Sequence, residues 1–317
     1  MGYRVGIDIG GTTVKGALIE NGEKILYKEF IKTPFRITFK DMEKEIGRLI
    51  DVLLKKGKIE RRSVEYIGIG IPGTVESRKK IVKYACNLGW ENEKLSSFLE
   101  KEYEAPVFIE NDVNIAAIGE YVYSGLKEKE TMVLIALGTG VGAGIILDGR
   151  LYRGFNFSAG EVGHMIIKKG GRECNCKNRG CFERYASGTG IVETAFEKMN
   201  RNKGSKLREY LKEKGELTAE AVFEIASKKD KAALETIEEF VEDLSVGVAN
   251  IINILQPEVL VVGGGVSNSG EVFIERLKEK VKEKDYAKNC EKRCEIKISK
   301  LKSDAGVFGA ANLEKFL

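Results

Sequence analysis

Histidine is almost absent from this sequence: its 317 residues contain one, His164, ten residues before the first of three closely spaced cysteines. Glutamine also occurs once, at Gln256, whereas lysine and glutamate are abundant, a composition typical of heat-adapted proteins. An excess of charge is lacking too, because 52 basic and 48 acidic residues leave a net charge of +4. Such a balance carries no footprint of nucleic-acid binding, so we expect no nucleic-acid partner.

Long apolar runs and a secretory leader are also lacking. Asp8 interrupts the first apolar stretch, and no small-residue cleavage site follows it. The longest uncharged segment, residues 131–147, has glycine at alternate positions and is followed at once by Asp148. That pattern predicts a strand–turn–strand unit and not a membrane span. We therefore expect a cytoplasmic protein with no membrane partner, and in that compartment clustered cysteines more often bind metal than form disulfides.

The chain contains an internal repeat. Residues 133–149 (VLIALGTGVGAGIILDG) align with residues 5–21 (VGIDIGGTTVKGALIEN) at an offset of 128, and both read as strand, glycine-rich turn, strand. Two related α/β halves with a ligand-binding cleft are the simplest interpretation. Residues 200–218 are polar and predict a surface excursion. Apolar residues at helical spacing predict helices over 39–55, 113–123, 232–255, 272–284 and from 305 to the C-terminus.

Three glycine groups are candidates for phosphate or nucleotide binding. Glycines let backbone N–H groups approach an anion, and nearby hydroxyls and an ammonium group add donors. A carboxylate at the strand end, Asp8, is suited to position a hydrated Mg²⁺. Any one group alone is better explained as a tight hairpin, but three groups within a repeat favour phosphate binding. No Walker or Rossmann pattern is present. The candidates are Asp8, Gly10, Gly11, Thr12, Thr13 and Lys15, then Gly138, Thr139 and Gly140, and finally Gly263, Gly264 and Gly265.

The lone histidine and three cysteines have the spacing of a metal site. Cys-x-Cys-x4-Cys with a histidine upstream supplies four ligands for a closed, structural Zn²⁺ site, and buried free thiols are the alternative. One imidazole nitrogen can bind zinc while the other faces substrate. The candidate ligands are His164, Cys174, Cys176 and Cys181. Cys290 and Cys294 predict inert or partly buried thiols, and Cys86 predicts a packing residue.

Taken together, these motifs resemble the ROK family of sugar kinases and sugar-responsive repressors. The resemblance runs nearly end to end, with Lys177 as a departure where the family usually has glycine. It implies a two-domain α/β fold of the actin/hexokinase/Hsp70-like (ribonuclease H-like) type, with a cleft between duplicated halves. The implied domains are residues 1–115 with 303–317, and residues 116–302 carrying the zinc loop. The matching motifs are DIGGTT (8–13), GIPGTV (70–75), NLGW (87–90), ENDVN (110–114), LGTGVGAGI (137–145), GEVGH (160–164), CNCKNRGCFE (174–183) and DAGVFGAANL (304–313).

The resemblance also implies a reaction. Asp112 is expected to be the general base that activates a sugar hydroxyl toward the γ-phosphoryl group of ATP, with Mg²⁺. An Asn-Asp pair at a strand end is otherwise most often a helix cap. The implied hexose contacts are Asn87, Asn111, Asp112, Glu161, His164 and Glu183.

The expected activity is that of a hexokinase, most like a glucokinase forming glucose 6-phosphate. Alternatives are a kinase for mannose, fructose, N-acetylglucosamine, N-acetylmannosamine or allose, since small pocket changes switch substrates. Further alternatives are a polyphosphate donor, a catalytically silent sugar sensor and a repressor. The repressor is disfavoured because Asp8 leaves no room before it for a helix-turn-helix domain. Members of the family are often homodimers or homotetramers.

Overall fold

The structure is a computed structural model that describes residues 2–34, 36–126 and 131–317. The chain divides into two compact units. The first comprises Met1–Glu130, Gly144–Gly160 and Ser303–Leu317, and the second comprises Thr131–Ala143 and Glu161–Lys302. Within the described ranges, no helix has both the length and the apolar character needed to span a membrane.

Strands and helices alternate along much of the chain. The strands are β1 (Tyr3–Ile9), β2 (Thr13–Glu20), β3 (Lys24–Lys32), β4 (Val64–Ile71), β5 (Thr74–Glu76), β6 (Ile81–Ala85), β7 (Trp90–Lys94), β8 (Val107–Asn111), β9 (Met132–Leu137), β10 (Val141–Leu147), β11 (Arg150–Leu151), β12 (Val259–Gly263) and β13 (Glu295–Ile298). The α-helices are α1 (Phe39–Gly57), α2 (Phe98–Tyr103), α3 (Asp112–Tyr123), α4 (Glu183–Ala186), α5 (Gly188–Arg201), α6 (Lys206–Lys214), α7 (Ala219–Ser227), α8 (Lys231–Leu255), α9 (Gly270–Lys284) and α10 (Ala305–Ala310).

The first unit is built on a five-stranded sheet with the order β3-β2-β1-β4-β8. β1 is antiparallel to β2 and parallel to β4, which is parallel to β8. β4 is buried at every position except Glu65, as expected of a strand covered on both faces. Because the carboxyl ends of β1, β4 and β8 meet at one edge, Asp8 and Asn111 lie at that same edge.

A second five-stranded sheet has the order β11-β10-β9-β12-β13. β12 is parallel to β9 and to β13. In both sheets the first strand lies at the centre, the next two strands extend to one edge, and the last two extend to the other edge. The predicted repeat of strand–turn–strand units is therefore confirmed. Helices α7, α8 and α9 pack together through edge-to-face or tilted contacts among Phe223, Phe240 and Phe273.

Polar residues fix where the main helices begin. The side chains of Thr38, Ser187, Thr218 and Asp230 accept a backbone N–H at the first turns of α1, α5, α7 and α8 respectively. Each of these is a favoured N-cap residue type. The helices predicted over 39–55, 113–123, 232–255 and 272–284 are therefore confirmed within a few residues at each end.

Two sequence-based expectations differ from the structure, and the structure adds detail to a third. The C-terminal helix stops at Ala310, because Asn312 turns inward and donates to the carbonyls of Phe308 and Gly22, and a short 3₁₀ segment follows. The polar excursion over 200–218 is partly helical, with α6 starting at the cap Ser205. Cys86 was predicted to pack, which is wrong: it is exposed in the turn between β6 and β7 of a small three-stranded sheet.

Candidate functional site

In the first unit, two carboxylates meet at the carboxyl edge of the sheet. Asp8 occupies the penultimate position of β1, and Asp112 begins α3 immediately after β8. Burial, and then the negative charge of Asp112, raise the pKa of Asp8 to about 7, against the opposing charge of Lys15. Lys15 is the cross-strand partner of Asp8 on β2, and its Nζ donates to the Ser303 carbonyl at 3.2 Å. This edge therefore disfavours negative charge unless a cation compensates it.

Asn111 holds Asp112 in place. Its Nδ2 donates to Asp112 Oδ1 at 3.0 Å and to the Gly73 carbonyl at 2.9 Å. Its Oδ1 accepts the N–H groups of Val113 and Asn114, so Asn111 is the N-cap of α3. Both amide hydrogens and both acceptor positions are thereby used within the chain. The helix cap that the sequence allowed at this Asn-Asp pair is therefore Asn111. Its predicted contact with the sugar stays a prediction.

The glycine turn after β1 is a closed loop. Gly10 N–H donates to the Thr13 carbonyl at 2.9 Å, whereas Gly11 and Thr12 are exposed. Thr33 fastens this turn from β3's far end, because its Oγ1 donates to the Gly10 carbonyl at 2.7 Å and its N–H to the Thr12 carbonyl at 3.0 Å. The sequence analysis did not identify Thr33, since nothing in its local sequence marks it.

Asn87 lies apart from this edge along the chain, in the turn joining β6 to β7. It is exposed, while its neighbours Leu88 and Trp90 are buried and anchor the turn. Trp90 Nε1 donates to the Ile37 carbonyl at 2.9 Å. The side chain of Asn87 is therefore presented to solvent from a fixed turn.

In the second unit, the four predicted metal ligands come together. Their ligand atoms all lie within 4.8 Å of one another. Cys174 Sγ is 3.7 Å from His164 Nδ1, and Cys176 Sγ is 3.5 Å from Cys181 Sγ. Sulfurs bound to one tetrahedral Zn²⁺ lie about 3.8 Å apart, so the donor set and its spacing fit this ion.

The thiols of this cluster differ in pKa because their local environments differ. Burial raises the pKa of Cys174 to about 12, whereas the Asn178 backbone N–H lowers the pKa of Cys176 to about 7. Cys174 and Cys181 are buried, and Cys176 is exposed. Cys290 and Cys294 join no such cluster within the described residues.

Two of the predicted sugar ligands flank the metal ligands. His164 Nδ1 points to the cluster, while its Nε2 lies 3.9 Å from Glu161 Oε2. Glu183 Oε1 is 3.1 Å from Cys174 Sγ and 3.8 Å from His164 Nδ1. The structure thus brings Glu161, His164 and Glu183 together, with the two imidazole nitrogens facing different groups.

The second glycine turn borders a cavity of about 550 Å³. Gly138 and Thr139 line it, and Gly265 does so from the third glycine group. Gly263 is buried within β12 instead, and Gly264 (φ +81°) packs against the backbone of Leu137. A volume in this range suits a small-molecule ligand.

Most of the cavity wall was not foreseen from the sequence. Its remaining residues come from the first two turns of α5, from α7 and the two residues before it, and from the 3₁₀ segment that precedes α9. The local signals were the cap residues Ser187 and Thr218. The remaining wall residues are Gly188, Thr189, Val192, Leu217, Thr218, Ala219, Glu220, Phe223, Val266 and Ser269.

The comparisons with known proteins agree in kind. A family model described as the ROK family matches residues 4–316. A glucokinase of Halalkalibacterium halodurans is 36% identical over 314 residues, covering 99% of this chain and 95% of the relative. A xylose repressor of Caldicellulosiruptor bescii is 30% identical over 312 residues, covering 98% of this chain and 77% of the repressor. A solved ROK family glucokinase from Streptomyces griseus, in complex with glucose and AMPPNP, has a TM-score of 0.84 at 29% identity, covering 98% of this chain and 99% of that chain.

Proposed function

This chain belongs to the ROK family and has its actin/hexokinase-like α/β fold, and from that premise we propose that it phosphorylates a hexose at the 6-hydroxyl. The proposed donor is ATP with Mg²⁺, and the proposed sugar is glucose. The 36% identity to a glucokinase and the likeness to a glucokinase bound to glucose and AMPPNP support the choice. Phosphoryl transfer needs mainly alignment and charge neutralisation.

The observation that carries the proposal is the carboxylate pair at the edge of the first sheet. Asp112 is the proposed general base, taking the proton of the 6-hydroxyl as its oxygen attacks the γ-phosphorus. Asn111 supports this role by donating to Asp112 Oδ1, which fixes the orientation of the carboxylate. A carboxylate is a competent base here because phosphoryl transfer asks little of it beyond position.

Asp8 is proposed to hold Mg²⁺ through its water shell. A hard oxygen ligand is what this ion prefers, and it often binds through one carboxylate with several waters retained. The raised pKa of Asp8 supports a cation here, because a positive ion would favour the ionised carboxylate. Lys15, opposite Asp8, is placed to neutralise phosphate charge. Bound Mg²⁺ would supply charge neutralisation on the phosphates.

The cavity of the second unit is the proposed nucleotide site. Its glycines, Gly138 and Gly265, allow a phosphate or a ribose to lie against the backbone. Apolar groups such as Phe223 and Val266 offer a surface for the base. The first glycine turn, Gly10–Thr13, is proposed to contact the phosphates from its exposed N–H groups and hydroxyls.

The sugar is proposed to be held by rigid, directional hydrogen-bonding groups. The zinc cluster would be structural, because four protein ligands leave no open position. Its contribution is to fix the tautomer and orientation of His164, whose Nε2 then faces away from the metal. The proposed contacts are Asn87, Asn111, Asp112, Glu161, His164 and Glu183.

The test is ADP release from ATP and Mg²⁺ against glucose, mannose, fructose, N-acetylglucosamine, N-acetylmannosamine and allose, with polyphosphate as an alternative donor. We expect turnover with glucose above all others. Asp112→Asn should bind glucose but lose at least about 10²-fold in kcat. Turnover by Asp112→Asn at the wild-type rate would contradict its role as base.

The second candidate is a sugar sensor without catalysis, favoured by the 30% identity to a xylose repressor. A sensor would bind one sugar of the panel, detected by calorimetry, and would release no ADP with any donor. Asp112→Asn also separates the sensor from the kinase. In a sensor this substitution would change sugar affinity alone, because there is no turnover to lose.

A further inference from the structure

In the second unit, one side chain contacts both the four predicted metal ligands (the metal cluster) and the second glycine turn, Gly138–Gly140. Glu183 is the first residue of α4, and its side chain is 20% exposed. Its Oε1 lies 3.1 Å from Cys174 Sγ and 3.8 Å from His164 Nδ1. Its Oε2 faces Gly140, where a Cβ would lie only 2.6 Å from that oxygen. Glu183 therefore fills the space beside the turn.

The chain that follows Glu183 contacts the same turn again. After α4, the Gly188 N–H donates to the Gly138 carbonyl at 2.8 Å. Thr189 Oγ1 donates to the Thr139 carbonyl at 2.9 Å. Residues 183–189 thus bond or pack against each of the three residues of the turn.

The residue before His164 also packs beside this turn. Gly163, next to His164, packs so closely on the Val141 carbonyl that no side chain fits there. Val141 directly follows the turn. Two segments that flank the metal ligands, one before and one after, therefore both abut residues 138–141.

We propose that residues 183–189 couple the metal cluster to the nucleotide turn Gly138–Gly140, so that metal binding and nucleotide binding strengthen each other. Glu183 is the positioning residue of this coupling. The inference rests on the proposed function, because it takes the turn to bind nucleotide.

The physical reason is conformational ordering. A closed four-ligand site ties residues 164–181 to one geometry, and through the adjoining residues 183–189 it holds the turn in place. Without the metal, nucleotide binding has to order that segment itself, and the ordering cost weakens binding. Linkage then requires the nucleotide to strengthen metal binding by the same factor.

The experiment measures the dissociation constant of a non-hydrolysable ATP analogue by calorimetry, without sugar, in zinc-loaded and chelator-stripped protein. We expect a loss of about five-fold or more on stripping, the lower range of allosteric couplings. Zinc affinity, measured by competition with a chromophoric chelator, should rise by the same factor when the analogue is present. Equal affinities in both states would overturn the coupling.

Zinc-loaded variants test the path without removing metal, in case the stripped protein unfolds. Glu183→Ala removes the side chain that packs against Gly140, and Thr189→Val removes the hydrogen bond to the Thr139 carbonyl. Both keep all four ligands and should bind zinc but lose about five-fold in analogue affinity. Glu173→Ala is the matched control, because Glu173 lies beside Cys174, is exposed and pairs with the surface residue Arg179. Unchanged analogue affinity in both test variants would refute the path.

The outcomes also separate this inference from the proposed function. If zinc-loaded wild-type protein fails to bind the analogue at all, the nucleotide site is misassigned and both ideas fall. If it binds equally well with and without zinc and in both variants, the kinase proposal stands and the coupling alone is wrong.

Discussion

Arg153 Nε donates to Glu110 Oε2 across 2.6 Å, and this carboxylate is 1% exposed. Glu110 also accepts Ser77 Oγ at 2.8 Å, Asn114 Nδ2 at 3.0 Å and the Asn111 backbone N–H at 2.9 Å. A buried charge is tolerated when it is paired and fully hydrogen-bonded, as here. Since Glu110 directly precedes Asn111 in the chain, this pair holds the segment that carries the proposed base, Asp112.

Glu110→Gln should therefore be strongly destabilising. It leaves the Arg153 guanidinium without its countercharge and puts an amide donor against another donor, at a cost of about 3–5 kcal/mol. Urea unfolding measures this. We also expect kcat to fall by about 10²-fold through misplacement of the base, with the KM for ATP unchanged.

A double-mutant cycle provides the control for that prediction. Arg153→Met removes the cation, so Glu110→Gln combined with Arg153→Met should be less destabilised than Glu110→Gln alone. Strictly additive losses would mean that the two side chains do not act as a pair.

Elements that depend on a short local motif or on residue spacing could be predicted from the sequence. The glycine turns repeat at a fixed offset, so both strand–turn–strand units were predicted, and the spacing of His164, Cys174, Cys176 and Cys181 predicted a cluster that the fold brings within 4.8 Å. Helical spacing likewise located α1, α3, α8 and α9.

Features that depend on tertiary contacts were not predicted. Thr33 reaches the first glycine turn from 20 or more positions away, and Arg153 reaches Glu110 across 43. The wall of the cavity is assembled from several helix starts, none of which carries a motif. Cys86 was misjudged because the exposure of a turn residue depends on what packs over the turn, which the neighbouring sequence does not reveal.

Asp8→Asn should stabilise the protein in a pH-dependent way. The folded-state pKa of Asp8 is about 7, raised from 3.8, so between these values the folded protein binds more protons than the unfolded chain. Stability then falls as pH rises from about 4 to about 7. Without nucleotide or Mg²⁺, the advantage of Asp8→Asn should be larger at pH 8 than at pH 5, by roughly 2 kcal/mol, in urea unfolding.

Asp41→Asn is the control for this pH effect. A hydrogen bond from Lys44 lowers the pKa of Asp41, so this carboxyl is ionised in both states at pH 5 and at pH 8. Its substitution should therefore change stability equally at the two pH values. A pH-independent effect of Asp8→Asn would show that Asp8 is ionised normally.

Cys176→Ser should lose zinc and weaken sugar binding together. The cluster needs all four ligands to close, and bound metal stabilises the folded chain by about 4 kcal/mol when free zinc is 1,000 times its dissociation constant. Metal analysis, thermal unfolding and glucose calorimetry give the three readouts. Cys290→Ser, which removes an exposed thiol outside the cluster, should leave all three unchanged. A native protein purified without zinc would end this interpretation.

The last prediction uses two adjacent glycines that differ in what surrounds them. At Gly265 a Cβ would meet nothing within 4 Å and φ is not positive, whereas Gly264 has φ +81° and a Cβ there would lie 2.5 Å from the Leu137 backbone. Gly265→Ala should therefore fold as the native protein does, while Gly264→Ala should lose about 2 kcal/mol or more. Thermal unfolding measures both.

Of these two glycines, Gly265 lines the cavity and Gly264 does not, so the pair also tests the proposed nucleotide site. If a nucleotide lies against this backbone, Gly265→Ala should weaken binding of the ATP analogue several-fold without changing stability. The added methyl group would clash with the bound ligand but with no protein atom. Glucose affinity, measured alongside, should stay the same. Native analogue affinity in Gly265→Ala would mean that the ligand does not approach this glycine, and the cavity would then need another occupant.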